Sequence, residues 1–559
     1  MLLPAAHDVN RRRRSLSLAA FCAIALTCSA AADRPAESSA VGLDDSAAIE
    51  PARRLHAFLY ELSRSEARSN KLIAGHWLGA SFRDGKAYPF NLQEPLEIRR
   101  HTGKWIGMID GWICPGEFPE GGSRDPIADC MWYDEMIADY TLWWRNGGIV
   151  HVAASFFAPL ADRYGQRLDP DAKVDLDAVL RPGTPDNQRW RAMLDRMATF
   201  FQALEAREVP VIFRPFTEGY LAHFWYSRQR LGDEGAKRLW IDLHDYLTGV
   251  KGCHNIVWDF QGGKAAPHYP GDAYVDLYTA KSEYRTWKVA PFQTLEPDDL
   301  PMGNAELGDY GASARADAKG KSRIAWNDWV EAIREKAPRL AFFTSWDREW
   351  GAVKRAGADG RYRDYDSGYD AMIANPYVLT RDELIGFSRP PAAPALPERD
   401  AWIPVNGKWK VDGARIVRTD REGEGRIIAG NTDWTDYSVQ ATLRADTAGE
   451  VGVLGRCASS DIYYLLAIKP SGLTLSRRFN RRLETLATWS HAFEPGRHYN
   501  VKLIMRGDRI EGHVDTGDGL MPRVSTVDDF IPCGAIGFRA VGAGTEITNI
   551  QVETVEAAR

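Results

Sequence analysis

Eight short apolar runs, separated by amphipathic stretches, constrain the first two-thirds of this chain more than any other feature. They are Leu72–His76, Trp105–Trp112, Gly148–Phe157, Val209–Glu218, Asn255–Gly262, Tyr274–Glu283, Leu300–Gly308 and Arg339–Trp346. Several are continuous and β-branched rather than alternating, the pattern of strands covered on both faces. Between them, Asp134–Asn146, Asn187–Glu208, Glu234–Lys251 and Ala325–Ala337 carry helical periodicity. Eight strands interleaved with helices fit a closed (β/α)8 TIM barrel better than an open sheet. The α/β portion is expected over 45–388.

At residue 389 the pattern changes. Arg389-Pro-Pro-Ala-Ala-Pro-Ala-Leu-Pro397 has the proline density of a stiff, extended linker, expected over 389–399 and open to proteolysis. Beyond it the period becomes two, as in Tyr437–Leu443, Tyr463–Ile468, Leu473–Arg477 and Tyr499–Ile504, with Gly and Asp turns between. An independent all-β sandwich or jelly roll is expected over 400–559. Trp434-Thr-Asp-Tyr437 and Gly534-Ala-Ile-Gly-Phe-Arg539 are similar to segments of the concanavalin-like, laminin-G-like domains appended to many secreted hydrolases. That resemblance favours sugar binding over a purely structural role. Asp508, Asp515 and Asp518 could hold calcium, but turn aspartates read first as turn formers.

The amino terminus reads as an export signal. Arg11–Arg14 precede the apolar stretch Leu16–Leu26 and the small residues Ser29-Ala-Ala-Ala32, so 1–32 is expected to be a secretory leader, leaving no membrane span. An oxidising compartment makes a Cys114–Cys130 disulfide plausible and Cys457–Cys533 a weaker second, with Cys253 a buried thiol. Neither a zinc spacing nor a cofactor motif is present, and His76, His151 and His223 fall in different segments without ligand spacing. A net charge of −6 argues against nucleic acid and anionic membranes as partners. A monomer is expected. The 19 tryptophans suit either a large core or stacking against pyranose rings.

In a TIM barrel the chemistry sits where strands end. Acids at those points are Asp110, Glu218, Asp259, Glu283, Glu306 and Asp347. Cleavage of a glycosidic bond needs two: one to protonate the leaving oxygen, a second to attack the anomeric carbon or activate water. A rim salt bridge is the competing explanation for any single acid.

Two of the six sit in distinctive surroundings: Val211-Ile-Phe-Arg-Pro-Phe-Thr-Glu218 after the fourth strand, and Pro301-Met-Gly-Asn-Ala-Glu-Leu-Gly308 on the seventh. With Ala74-Gly-His76, Asn146-Gly-Gly-Ile149, Tyr274-Val-Asp276 and Ala341–Trp346 in the same order, the region from Lys71 to Leu384 resembles glycoside hydrolase family 26 of clan A, a retaining, β-mannanase-like family. The resemblance implies a polysaccharide or oligosaccharide substrate, Glu218 as acid/base and Glu306 as nucleophile. It also places Arg214 beside the nucleophile, Tyr284 as a hydroxyl partner to it, and Trp346 as the platform under the reacting sugar. Trp225 and His223 would line the leaving-group side, with His76 and Thr217 also near substrate. Two departures stand out. Thr217 occupies the position of the family's histidine, and Ala154-Ser-Phe-Phe157 replaces its Trp-His pair. They weaken the case for β-mannan more than the case for the chemistry. The alternatives are a clan-A-like hydrolase of another polysaccharide and a sugar-binding protein on an inactive scaffold.

Overall fold

The computed structural model describes residues 43–556 except 65–70, 79–80, 84–85, 89–91, 114–132, 160–172, 284–299, 309–324, 348–350, 354–364, 385–389 and 480. The expected leader, Cys114, Cys130 and Tyr284 lie outside the described residues. Eight parallel strands close into a barrel: β1 (Leu72–Trp77), β2 (Met108–Ile113), β3 (Ile149–Ala154), β4 (Val211–Arg214), β5 (Ile256–Gln261), β6 (Leu277–Glu283), β7 (Met302–Gly308) and β8 (Leu340–Ser345). Each pairs with the next, and β8 returns to β1 through Ile73–Phe342 and Ala74–Phe343. Every apolar run of the sequence supplies one strand.

Side-chain alternation explains what fills the barrel. Ile73, Met108, Ile149, Ile212, Val257, Leu277 and Phe342 form one buried cluster with Ala52, Leu55 and Leu59 of helix α1 (Glu50–Ser63). That helix precedes β1 and stops the barrel's amino-terminal end with an apolar plug. Moving two residues along each strand keeps the side chain on the same face. The next layer is therefore Gly75, Asp110, His151, Arg214, Asp259, Thr279 and Thr344, polar apart from the glycine, and each of these six polar side chains is fully buried. An apolar floor under a charged storey places the barrel's ionic groups toward the carboxyl-terminal mouth.

The outer layer follows from the periodic segments. Helices α2 (Gln93–Thr102), α3 (Tyr133–Arg145), α4 (Pro185–Glu205), α5 (Arg228–His244) and α6 (Trp326–Lys336) cover the strands. In α4, Thr184 accepts the Asn187 N–H at 3.1 Å as the amino-terminal cap, and Pro185 opens the first turn. Its buried face carries Trp190, Met193, Leu194, Met197, Phe200, Phe201 and Leu204. Much of the tryptophan content goes into this layer: Trp105, Trp190, Trp225, Trp326 and Trp329 are all fully buried.

The carboxyl-terminal region holds two seven-stranded antiparallel sheets. One runs, in spatial order, Ile403–Asn406, Glu424–Ala429, Ala535–Val541, Glu450–Ser459, Ile462–Lys469, Gly472–Phe479 and Arg482–Ser490. The other runs Trp409–Asp412, Arg415–Arg418, Thr545–Thr554, Tyr437–Ala445, Tyr499–Arg506, Arg509–Asp515 and Leu520–Val527. Cys457 and Cys533 are free, buried thiols and not a disulfide, because Cys457 pairs in register with Ala535, two residues past Cys533. Cys253 is a buried thiol as well. Asp515 Oδ1 accepts the Gly517 and Gly519 N–H groups at 2.8 and 3.1 Å, a turn-forming role.

The segment after Pro390 is not a free hinge. Asn431 Nδ2 donates to the Pro391 carbonyl at 3.2 Å and Trp434 Nε1 to the same oxygen at 3.1 Å. The sandwich also docks on α3 through buried contacts that the composition break concealed. Ala138 and Leu142 join Ile403, Val405, Ile428, Leu454 and Tyr463 in one apolar cluster. Around it, Glu135 accepts from Arg426 and Arg481, each at 2.5 Å, and Asn146 bridges the Gly430 carbonyl and the Thr432 N–H at 3.3 and 2.9 Å. Removing one partner of such a buried pair leaves an uncompensated charge, which costs about 3–5 kcal/mol. The two regions therefore support each other.

Asp139, also on α3, accepts from the Ser460 N–H at 2.5 Å and hydroxyl at 2.8 Å. Burial pushes its carboxyl up from 3.8 to about 8, although the Ser460 bonds pull the other way. A raised folded-state pKa means that the folded form holds the proton more tightly. The stability so gained is full below about 4 and lost as pH rises through about 8. Asp139→Asn should therefore flatten the fall in thermal stability between pH 5 and 9, read by scanning calorimetry. An unchanged slope would rule out Asp139 as its source.

Candidate active site

Strand β4 ends in Arg214, and the chain then turns sharply. Phe216 and Glu218 both adopt left-handed backbone, at φ 57° and 56°. For residues with a Cβ this costs about 1–2 kcal/mol each, so the local sequence does not choose it; surrounding bonds do. The Thr217 N–H donates to the Ala154 carbonyl on β3 at 2.9 Å, and the Tyr226 hydroxyl donates to the Thr217 carbonyl at 2.8 Å. The Gly219 N–H returns to Phe216 at 3.0 Å and the Leu221 N–H to Glu218 at 2.8 Å. The result is a tight, pinned loop that carries a half-buried Glu218 at the mouth of the barrel. Strain held this way is a recurrent feature of functional loops.

Glu306 comes from β7 and is almost fully buried, with 4% of its surface exposed. Its Oε1 accepts from Arg214 Nη1 at 2.9 Å across the barrel interior. Arg214 has no exposed surface. Burial opposes its charge, but Glu306, Asp110 and Asp259 outweigh that and raise its pKa further above the ordinary arginine value. The Trp77 ring lies 5.9 Å from the guanidinium carbon. In this dry setting a fixed cation stabilises a carboxylate far more than it does in water.

Trp346 directly follows β8, and its N–H donates to the Leu307 carbonyl at 2.8 Å. A Cβ on Gly308 would come within 2.7 Å of the Trp346 ring. Only glycine at that position lets the indole lie against the backbone two residues past Glu306. The ring is half-buried and keeps an open portion. Beside the Glu218 loop, a cavity of about 140 Å3 is lined by Phe216, Tyr220, Tyr226, Trp240, Phe260 and Arg228 among others. Aromatic walls with a polar rim suit the mixed surface of a sugar ring.

Two residues expected to meet substrate do not reach the mouth. Trp225 has no exposed surface; its Nε1 donates to the Phe156 carbonyl at 3.0 Å and its ring packs edge-on to Trp190 at 5.7 Å. The loop doubles back after Glu218 and turns that indole into the helical layer. His76 is likewise fully buried. It points away from Trp77 to meet Glu94 of α2 at 3.3 Å, and its Nδ1 lies 2.5 Å from the Trp77 carbonyl. Burial pushes it down to about 4, so at neutral pH it is an uncharged packing residue. His223 is partly exposed, beside the Phe224 ring at 4.3 Å. Thr217 is buried, and its hydroxyl has no hydrogen-bond partner among the described residues.

Below Glu306 lies a cluster that motif reading passes over. His151 Nδ1 is 2.7 Å from Asp110 Oδ1, and its Nε2 is 3.0 Å from Asp259 Oδ2. Thr344 donates to Asp110 at 3.1 Å and Thr279 to Asp259 at 2.7 Å. The available signal was spacing: Asp110 and His151 each follow a barrel-floor residue, Met108 and Ile149, by two. Among the described residues no group of three His, Cys, Asp or Glu is disposed to hold a metal ion.

A (β/α)8 barrel with one glutamate on the loop after β4 and another on β7, the latter held by a buried arginine, is the arrangement of a class of retaining glycoside hydrolases. The glycosyl hydrolase family 26 model matches residues 44–383, and the chain belongs to that family. A mannan endo-1,4-beta-mannosidase of Bacillus subtilis strain 168 is 25% identical over 354 residues, covering 61% of this chain and 91% of that enzyme. Mannan endo-1,4-beta-mannosidase A and B of Caldalkalibacillus mannanilyticus is 24% identical over 438 residues, covering 73% and 76%. A solved Bacillus subtilis mannanase shares the fold with a TM-score of 0.50 at 21% identity, over 62% of this chain and 97% of that one.

The fit of Trp346 against Gly308 yields a test. Gly308→Ala should push the indole off its seat and lower kcat/KM roughly 10- to 100-fold, as a displacement of about 1 Å near the reacting centre does. Thermal stability should stay within a few degrees of wild type. Wild-type kcat/KM in this variant would show that Trp346 is not a substrate platform.

Proposed function

We propose that the protein is a secreted hydrolase of β-mannan-type polysaccharide working by double displacement, with Glu306 as nucleophile and Glu218 as acid/base. The observation that carries this reading is the buried Arg214–Glu306 pair at 2.9 Å, with Glu218 four residues beyond Arg214 on a pinned loop. Arg214 keeps Glu306 ionised for attack on the anomeric carbon. Glu218 sits at the wetter mouth, where it can give a proton to the departing oxygen and later draw one from water. The carboxyl groups should act from about 5–5.5 Å apart, the retaining distance. Trp346 supports the reacting ring, and His223 with the adjacent aromatic cavity takes the leaving group.

The substrate follows from the named relatives, with one modification. Thr217 stands where the family places a histidine, and the buried Phe156 and Phe157 follow directly on the third strand. Sugar hydroxyls that those histidines would bond are met here by largely apolar surface, the Thr217 hydroxyl itself being buried. The preferred substrate is therefore a mannan-type backbone bound with fewer polar contacts beside the cleaved bond. Export rests on the Arg11–Arg14 and Leu16–Leu26 leader pattern. Among the described residues, no helix is long and apolar enough to cross a membrane.

Three assays on one set of variants test the assignment. Glu306→Ala should lose about 10^4-fold or more in turnover, because no glycosyl-enzyme can form. Glu218→Ala should lose most activity on polysaccharide but keep the first step on an activated aryl glycoside, with azide restoring part of the second. Nuclear magnetic resonance of the first product should show retained anomeric configuration. Wild-type rates in both variants would make Glu218 and Glu306 rim acids, and no turnover by the wild-type protein would leave only sugar binding on an inactive scaffold.

A further inference from the structure

Three carboxyl groups, those of Glu306, Asp110 and Asp259, share the barrel centre with a single guanidinium, and none is more than 4% exposed. Buried charges persist only when paired. Arg214 is committed to Glu306 through Nη1, yet its Nη2 lies 3.9 Å from Asp110 Oδ2, and neither that nitrogen nor Nε has a hydrogen-bond partner among the described residues. Asp110 is thus placed to compete for the arginine. What stands between the two aspartates is the His151 ring, fully buried, with a nitrogen toward each.

Resting on the assignment of Glu306 as nucleophile, we propose that His151 is a permanently charged positioning residue. As an imidazolium between Asp110 and Asp259 it offsets one of their two negative charges, and so leaves Arg214 to Glu306.

The chemistry of the contacts supports a charged ring. An ionised carboxylate only accepts hydrogen bonds, so an oxygen within about 3 Å of each ring nitrogen repels a bare nitrogen lone pair and favours an N–H at both. The Asp259 contact is a formed hydrogen bond at 3.0 Å; the Asp110 contact at 2.7 Å lies off the N–H direction and rests on charge. Each aspartate turns its other oxygen to a threonine hydroxyl, Asp259 to Thr279 at 2.7 Å and Asp110 to Thr344, whose one proton the Ala305 carbonyl also draws. The groups facing the ring are then Asp110 from β2, Asp259 from β5 and the tilted Phe342 ring from β8 at 6.0 Å, with Arg214 and Glu306 beyond Asp110. Burial lowers the pKa of His151, but Asp110 and Asp259 more than reverse that and hold it above the usual histidine value. No sugar needs to touch this ring. It acts through Arg214, by removing the competitor for it.

Removing the charge should therefore change the titration of the nucleophile as well as the rate. In His151→Gln, Asp110 draws on Arg214 and Glu306 becomes easier to protonate. The acid limb of kcat/KM on a mannan-type oligosaccharide should then move to higher pH by about one unit. His151→Gln/Asp259→Asn removes one buried negative charge as well and should bring the limb back. In the wild-type protein, the His151 ring nitrogens should show imidazolium 15N shifts at pH 7, the signal being identified by its loss in His151→Gln. A neutral ring at pH 7, a uniform loss of rate with an unmoved limb, or a limb that the double variant fails to restore would each overturn the proposal. The nitrogen measurement needs no substrate. Should Glu306→Ala remain active, the nucleophile assignment falls with the proposal built on it; an inactive Glu306→Ala with an unmoved limb in His151→Gln removes this proposal alone.

Discussion

Everything at the mouth of this barrel is organised around one ion pair in a dry interior, Arg214 Nη1 to Glu306 Oε1 at 2.9 Å. A carboxylate can serve as a nucleophile only while it is ionised, and burial alone would oppose that state. The opposing cation must come from inside the barrel, and β4 delivers it one strand layer above the apolar floor. The same strand then continues into the loop that carries Glu218. One four-residue interval, Arg214 to Glu218, thus positions both the cation paired with Glu306 and the carboxyl that the proposed mechanism assigns to proton exchange. The strained turn at Phe216 and Glu218 is the geometric cost of that economy, sustained by bonds to Ala154 and Tyr226.

The rest of the fold serves this arrangement at increasing distance. Helix α1 closes the floor with apolar side chains beneath the ionic layer. Gly308 and Trp346 bring a flat aromatic surface close to Glu306 without a side chain between. Farther out, α3 is shared: it covers β3 on one side, and through Glu135, Asp139 and Asn146 it grips the sandwich on the other. The barrel and the sandwich are joined by buried charge on one helix.

Strand count, closure and the Arg214–Glu218 and Glu306–Gly308 segments were legible in the sequence because they depend on local patterns: β-branched runs, a period of two, and short motifs at strand ends. What the pattern missed depends on long-range packing. Trp225 reads like a cleft residue by its proximity to Glu218, yet the loop reverses and buries it against Trp190. His76 lies on a strand that lines the barrel, but its parity sends it outward to Glu94. His151, dismissed as an isolated histidine, gains its meaning from aspartates 41 residues before and 108 after it. The proline-rich segment reads as an exposed linker because composition cannot show that Asn431 and Trp434 bond the Pro391 carbonyl.

The central claim is that Glu306, held ionised by Arg214, forms the covalent bond to sugar. It is tested most directly by trapping that bond. Incubation with an activated 2-deoxy-2-fluoro-β-manno-oligoside, followed by proteolysis and mass spectrometry, should place a single glycosyl label on the peptide containing Glu306. The label should form far more slowly in Arg214→Met. Labelling at Glu218, or no label in an enzyme that hydrolyses its substrate with inversion, would contradict the account.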